Sequence, residues 1–176
     1  MELVAAGRGE PEAARLRPST PVLPSLPVYL FGALGWGVLM AAGAFLSLKL
    51  QGRAENFQLA RILMIYFAGG LAAWPIALPL ARALTRRRPF ETRFAAHFAL
   101  LSLGTIAVTA FFFALDYRLF YAQWHHPPGT RIWLYQLVFT IAGAGYQFLV
   151  MGLSLYLPVG LPVVAGASLW LSRSIR

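Results

Sequence analysis

The chain has 176 residues, of which 59% are hydrophobic and only 12% are charged. Soluble domains carry roughly 25% charged residues, so a water-soluble fold of this size could not bury this much apolar surface. The net charge of +9 does not indicate a nucleic-acid partner, because basic loops orient membrane proteins and contact anionic lipid headgroups. Cysteine is absent, which excludes disulfides, thiolate nucleophiles and Cys-ligated metals.

Residues 1–26 precede the first apolar block and differ from it in composition. They are rich in proline and arginine, with several glutamates and little apolar surface to bury. We therefore predict a disordered cytoplasmic tail, with a docking peptide for a partner as the alternative. Residues 173–176 are predicted to form a short cytoplasmic C-terminus.

Four apolar blocks within residues 27–172 are each long enough to cross a bilayer, which takes about 20 helical residues. Three are bounded by charged residues and predict transmembrane helices at 27–48, 62–84 and 94–115. A fourth helix is placed at about 145–171. The prediction is an all-α integral membrane protein with four transmembrane helices in a small bundle.

The fourth helix is the least certain in position, because no residue is charged from Ile132 to Leu171. A straight helix of that length would extend about 60 Å. Either two helices meet at a turn near residues 154–158, or one span from about residue 145 follows a segment at the membrane interface. A single span places both termini and ten of the 15 basic residues on one side of the membrane, and the other five basic residues on the opposite side. The positive-inside rule therefore favours a single span. Aromatic residues typical of the interface precede it: Tyr117, Tyr121, Trp124, Trp133 and Tyr135.

Two proline pairs share the frame Pro-x-x-Leu-Pro. Pro75 and Pro79 lie in the second helix, and Pro158 and Pro162 in the fourth. Each proline removes a backbone hydrogen bond, which predicts kinks. Broken helices in corresponding halves of a chain can mark a transporter site, but the halves do not align as whole hairpins at this spacing. We interpret the pairs as ordinary kinks, with the moving parts of a carrier as the alternative.

Polar side chains are scarce inside the predicted spans. Apart from Arg82 at the end of the second span, His97 is the only Asp, Glu, Lys, Arg or His residue within them, and we interpret it as an interfacial side chain at the cytoplasmic end. This composition argues against proton relays, ion-coupled transport and buried metal catalysis, which place ionisable groups within the membrane. Gln136 and Gln147 lie on nearly the same face of a continuous helix and predict hydrogen bonds between helices, with a narrow polar path as the alternative. A similar stripe in the third helix comprises Ser102, Thr105 and Thr109.

The predicted outer loop contains the remaining candidate residues. Asp116 follows the third span, where the helix dipole disfavours an anion, so we expect an ion pair with Arg118 or Arg131. His125 and His126 are adjacent, but a tetrahedral metal site needs three or four ligands and no other soft ligand is near in sequence. We therefore predict neither a metal nor a cofactor.

Small residues recur at every fourth position in the first two helices and predict a tightly packed hairpin. They are Ala33, Gly37 and Ala41 in the first helix and Gly69, Ala73, Ala77 and Ala81 in the second.

These features together predict a non-enzymatic accessory, anchoring or assembly component of a membrane complex. The preference for arginine over lysine, with abundant alanine, glycine and proline, is typical of GC-rich bacterial genomes and indicates the bacterial inner membrane. The expected partners are membrane lipids, other membrane subunits or a second copy of the chain. The alternative is a small carrier or flippase-like protein for a lipid or an uncharged solute.

Overall fold

The computed structural model describes residues 25–55, 57–86 and 88–174. Within these ranges the fold contains helices and no strands. The five α-helices are α1 (Leu26–Leu50), α2 (Leu59–Leu84), α3 (Phe90–Tyr121), α4 (Arg131–Gln147) and α5 (Gly160–Ser174). The disordered tail predicted for residues 1–26 lies outside the described residues except for its last two, and residues 175–176 also lie outside them.

Four helical stretches are long and apolar enough to cross a membrane. They are Leu26–Leu50, Leu59–Leu84, Phe90–Trp124 and Arg131–Tyr156. The first three contain the helices predicted at 27–48, 62–84 and 94–115. The prediction of an all-helical chain with four long apolar helices is thus confirmed.

The fourth predicted helix, 145–171, is not a single helix in the structure. α4 begins at Arg131 and continues through a π-helical segment, Phe148–Gly152, and a 3₁₀ segment, Leu153–Tyr156. The chain then leaves helical geometry at residues 157–159, which we call the helix break. Leu157 is extended, with φ −98° and ψ 143°, because a residue before proline disfavours the helical conformation. The turn that the sequence left as an alternative near residues 154–158 is therefore present.

α5 runs antiparallel to α1. The helix break contacts the C-terminal part of α1, where the Ser47 hydroxyl donates to the Leu157 carbonyl oxygen. Farther along α5, Val164 belongs to the same hydrophobic cluster as Trp36, which lies nearer the start of α1. α1 therefore begins at the end of the bundle where α5 ends.

α1 and α2 pack closely through small residues. A Cβ atom at Gly37 would lie 2.8 Å from the Phe67 carbonyl oxygen, and one at Gly70 would lie 3.0 Å from the Trp36 carbonyl oxygen. The predicted close approach of α1 and α2 is thus confirmed, but the α2 face was wrong. Gly70 faces α1, whereas Gly69 and Ala77 of the predicted stripe face Thr109 and Gly104 of α3.

α4 is inclined to α3 and is largely uncovered. Near its start, Trp133 lies 5.8 Å from the Arg118 guanidinium, and just past its end the Phe148 ring centroid lies 5.8 Å from that of Phe113. The two α4 positions are about 22 Å apart along their helix, whereas their α3 partners are only about 7 Å apart. Within α4 itself, Ala144 alone is buried. The location of residues 116–136 at a membrane interface stays a prediction.

Candidate functional site

A chain of hydrogen bonds joins α1, α3 and the end of the α4 extension inside the bundle. The Trp36 Nε1–H donates to Thr105 Oγ1 over 2.9 Å, and the Tyr156 hydroxyl donates to Thr109 Oγ1 over 2.7 Å. Both threonine side chains are buried. The predicted hydrogen bonds between helices are thus confirmed for these two residues, while the buried Ser102 hydroxyl has no partner in the described part of the chain.

The helix break exposes carbonyl oxygens that α1 supplies with a donor. The Ser47 hydroxyl donates to the Leu157 carbonyl oxygen over 2.7 Å and lies 3.4 Å from that of Ser154. In a continuous helix the residue four positions after Ser154 would donate to the Ser154 carbonyl oxygen, but that residue is Pro158, which has no N–H. The Leu157 N–H donates to this oxygen over 3.1 Å instead, while the Ser47 hydroxyl fixes the Leu157 carbonyl oxygen.

α2 supplies a second donor to the same region. The buried Tyr66 hydroxyl donates to the Gly152 carbonyl oxygen over 2.5 Å, and the Tyr66 ring packs against Tyr156 with centroids 5.1 Å apart. Residues of α1 and α2 thus hold the chain on the N-terminal side of the break. None of these contacts follows from sequence spacing, because each joins segments far apart in the chain.

A small cavity lies between α1 and the helix break. Met40 and Gly43 line it on the α1 side, and Tyr156, Val159 and Val163 line it on the other. Its volume is about 10 Å³, at or below the space that a single water molecule needs. In this conformation the cavity has no room for a solute.

The other proline pair leaves α2 helical. Both Pro75 and Pro79 lie inside α2. Pro79 cannot donate to the Pro75 carbonyl oxygen four positions earlier, and the Tyr29 hydroxyl of α1 donates to that oxygen over 2.8 Å. At both proline pairs a hydroxyl group of α1 thus donates to a backbone carbonyl oxygen, Tyr29 to Pro75 and Ser47 to Leu157.

The ion pair expected at Asp116 has a different partner from those predicted. Arg61 of α2 places its Nε 2.7 Å from Asp116 Oδ1. Arg118 instead lies over the Trp133 ring, and Arg131 is exposed at the start of α4. The prediction of Arg118 or Arg131 was wrong because antiparallel packing of α2 and α3 brings Arg61 beside Asp116.

The histidine pair fixes the loop after α3 against α4. The His126 backbone N–H donates to Gln136 Oε1 over 2.9 Å, and His125 Nε2 lies 3.3 Å from Thr140 Oγ1. Among the described residues, no group of three or more side chains is arranged to hold a metal ion. The structure does not bring Gln147 into these contacts: its amide is half-buried and makes no hydrogen bond within the described residues.

His97 is buried inside the bundle, one helical turn from Arg93, and its location at the cytoplasmic membrane interface stays a prediction. Its side chain is fully buried, and Nδ1 lies 2.7 Å from the Arg93 carbonyl oxygen. Since a carbonyl oxygen only accepts, Nδ1 carries a proton. Ser168 and Ser172 of α5 are also fully buried, and the Ser172 hydroxyl donates to the Ser168 carbonyl oxygen over 2.6 Å. The two serines lie four residues apart on one face of α5, and no sequence pattern singled them out.

No known protein family, characterised protein or solved structure matches the chain. The fold and its internal hydrogen bonds define an all-helical protein with four helices long and apolar enough to span a membrane. Its most distinctive feature is the helix break, which α1 and α2 hold through side-chain hydroxyl groups.

Proposed function

We propose that this chain is an integral protein of the bacterial inner membrane with both termini in the cytoplasm. In this proposal it acts as a non-enzymatic accessory, anchoring or assembly component of a membrane complex. Four long apolar helices support membrane insertion. The distribution of basic residues, together with the shared location of the α1 start and the α5 end, supports the orientation.

The closed state of the helix break is the observation that carries the proposed role. Carriers use discontinuous helices because the freed backbone groups can bind a solute or an ion. Here Tyr66 and Ser47 already occupy the carbonyl oxygens of Gly152 and Leu157, and the adjacent cavity measures about 10 Å³. Because these oxygens are occupied and this cavity has no room for a solute, the proposed role uses the apolar outer surface of the bundle, which contacts lipids and neighbouring subunits.

A carrier or flippase-like protein for a lipid or an uncharged solute is the second candidate. The discontinuity between α4 and α5 favours it, because a break that contains Pro158 and is followed by Gly160 could allow α5 to move relative to α4. Movement of this kind would have to break the Ser47 hydrogen bond. The two candidates therefore differ in whether α1 and the helix break must separate.

A disulfide between α1 and the break distinguishes the candidates. A Cβ atom at Gly43 would lie 3.9 Å from the Val159 Cβ, a separation that suits a disulfide. The chain has no cysteine of its own, so Gly43→Cys with Val159→Cys gives one defined cross-link. We expect the oxidised variant to keep a stoichiometric complex with a different polypeptide, as measured by native mass spectrometry after extraction of the native membrane into polymer nanodiscs.

The single variants Gly43→Cys and Val159→Cys, and the reduced double variant, are the controls. Recovery of the wild-type chain without any other stoichiometric polypeptide would overturn the assembly role. Movement of lipid or neutral solute across reconstituted vesicles that stops on oxidation and resumes on reduction would establish the carrier instead.

A further inference from the structure

The end of the bundle where α2 and α5 end and α3 begins is strongly basic. Within the described residues, Glu91 is the one acidic residue at this end. It lies two positions before Arg93 and therefore about 200° around α3 from it. The described part of the chain thus supplies little negative charge to balance the arginines here, which are Arg82, Arg86, Arg88, Arg93 and Arg173.

Two of these arginines continue helical faces that are fully buried one turn deeper in the bundle. Arg82 follows the buried Leu78 by four residues in α2, and Arg93 precedes the buried His97 by four residues in α3. Residues four apart share a helical face. The positive charges of Arg82 and Arg93 both act on the His97 ring, so the two guanidinium groups border the same gap between α2 and α3.

Arg82 lacks a partner for a buried donor. Its Nε is buried and makes no hydrogen bond within the described part of the chain, while the side chain as a whole is partly exposed. A charged group that is withdrawn from water needs an opposite charge or a hydrogen-bond acceptor. Two positive charges that border one gap also repel each other. An anion bound in the gap would meet both needs.

Phosphate is the anion that fits this position. In the membrane placement proposed above, Arg82 and Arg93 lie where α2 and α3 reach the cytoplasmic headgroups, and anionic lipids attract basic residues at this depth. A guanidinium group can bind two phosphate oxygens at once. An anionic phospholipid keeps a net negative charge, whereas a choline headgroup brings a cation that the arginines repel.

We propose that Arg82 and Arg93 bind the phosphate of an anionic phospholipid in the gap between the end of α2 and the start of α3. The site rests on the membrane placement proposed above, but it does not require the proposed complex with other subunits.

Thermal stability of the purified chain in detergent tests the site. Dioleoylphosphatidylglycerol should stabilise the wild-type chain, because a ligand that binds only the folded state raises its stability. Dioleoylphosphatidylcholine should stabilise it less. Arg82→Gln should weaken the apparent affinity for phosphatidylglycerol by about tenfold. It should not lower the stability of the lipid-free chain, since the Arg82 Nε has no hydrogen bond to lose among the described residues.

Two further variants separate a defined site from general attraction between charges. Arg88→Gln removes one positive charge from the same end at an exposed position. It should weaken the binding of phosphatidylglycerol by less than about threefold, because solvent and salt screen an exposed charge. Arg82→Lys keeps the charge but loses the planar donor pair, so its affinity should lie between those of the wild type and Arg82→Gln.

Equal losses of affinity for Arg82→Gln and Arg88→Gln would overturn the site. Stabilisation by inorganic phosphate that requires Arg82, without stabilisation by phosphatidylglycerol, would identify a soluble phosphate and overturn the lipid. Alkaline carbonate extraction of native membranes tests the membrane placement separately. A chain that carbonate releases contradicts the placement, whereas a retained chain without a preference for phosphatidylglycerol contradicts the site alone.

Discussion

The Tyr29 hydroxyl of α1 donates a 2.8 Å hydrogen bond to the Pro75 carbonyl oxygen of α2. This is the oxygen that Pro79 leaves without its helical donor. The contact shows how α2 retains helical geometry through two prolines: a side chain from the neighbouring helix replaces the missing backbone bond. Ser47 also donates to a carbonyl oxygen at the helix break, that of Leu157, so hydroxyl groups of α1 bond to the backbone at both proline pairs.

Tyr29→Phe should therefore destabilise the bundle by about 1 kcal/mol, because it leaves the Pro75 carbonyl oxygen without a donor. Unfolding in mixed micelles with increasing denaturing detergent measures this difference. Tyr135→Phe is the control, since Tyr135 is exposed and its hydroxyl has no partner within the described residues. Equal stability of the two variants would contradict the role given to Tyr29.

Gly69→Ala should destabilise the chain by about 1–3 kcal/mol through overpacking between α2 and α3. A Cβ atom at Gly69 would lie 2.8 Å from Thr109 Cβ and 2.9 Å from Thr109 Cα, and backbone atoms cannot move aside. At Gly35 a Cβ atom meets nothing within 4 Å, so Gly35→Ala should be neutral or stabilising, as alanine is in a helix. The same unfolding experiment compares the two variants. A Gly69→Ala chain as stable as Gly35→Ala would show that the helices do not pack this closely.

The hydrogen bond between Tyr156 and Thr109 should appear as a coupling energy. Tyr156→Phe and Thr109→Val each remove one side of the 2.7 Å contact, and a double-mutant cycle should give about 1 kcal/mol of interaction. The control cycle combines Tyr156→Phe with Asp116→Asn, two sites without a shared partner, and should be additive within about 0.5 kcal/mol. Additivity in the first cycle as well would mean that the bond makes no net contribution.

Asp116→Asn and Arg61→Gln should have the same small effect on stability, less than about 1 kcal/mol, because both side chains are partly exposed. The effect should shrink as salt concentration rises. Arg131→Gln should not change the stability. Unfolding at low and high salt measures these changes. A larger loss of stability for Arg131→Gln than for Arg61→Gln would indicate that Asp116 pairs with Arg131, as the sequence suggested.

Reporter fusions test the proposed orientation. A fusion after Arg88 should report the cytoplasm, because the turn between α2 and α3 carries the largest group of basic residues. A fusion after His126 should report the periplasm. Expression of both fusions at matched levels controls for reporter yield. A cytoplasmic signal from the fusion after His126 would show that α3 crosses in the opposite direction or does not cross the membrane.

The helix break shows where the sequence was informative and where it was ambiguous. Pro158 and Pro162 indicated a turn in this region, whereas the distribution of basic residues favoured one continuous span. The turn is present, because helical geometry is interrupted at residues 157–159, and the single continuous helix is not. Charge counting reports the side of the membrane on which segments end and carries no information about helical continuity between them.

Local sequence patterns predicted the first three helices, because helical hydrogen bonds join residues four apart and because apolar composition and length decide whether a helix suits a bilayer. The partners of the polar groups follow from tertiary packing instead. Arg61 bonds to Asp116 across 55 positions of sequence, and Tyr66 bonds to Gly152 across 86. Such pairs depend on the relative rotation and depth of packed helices, which no local pattern specifies.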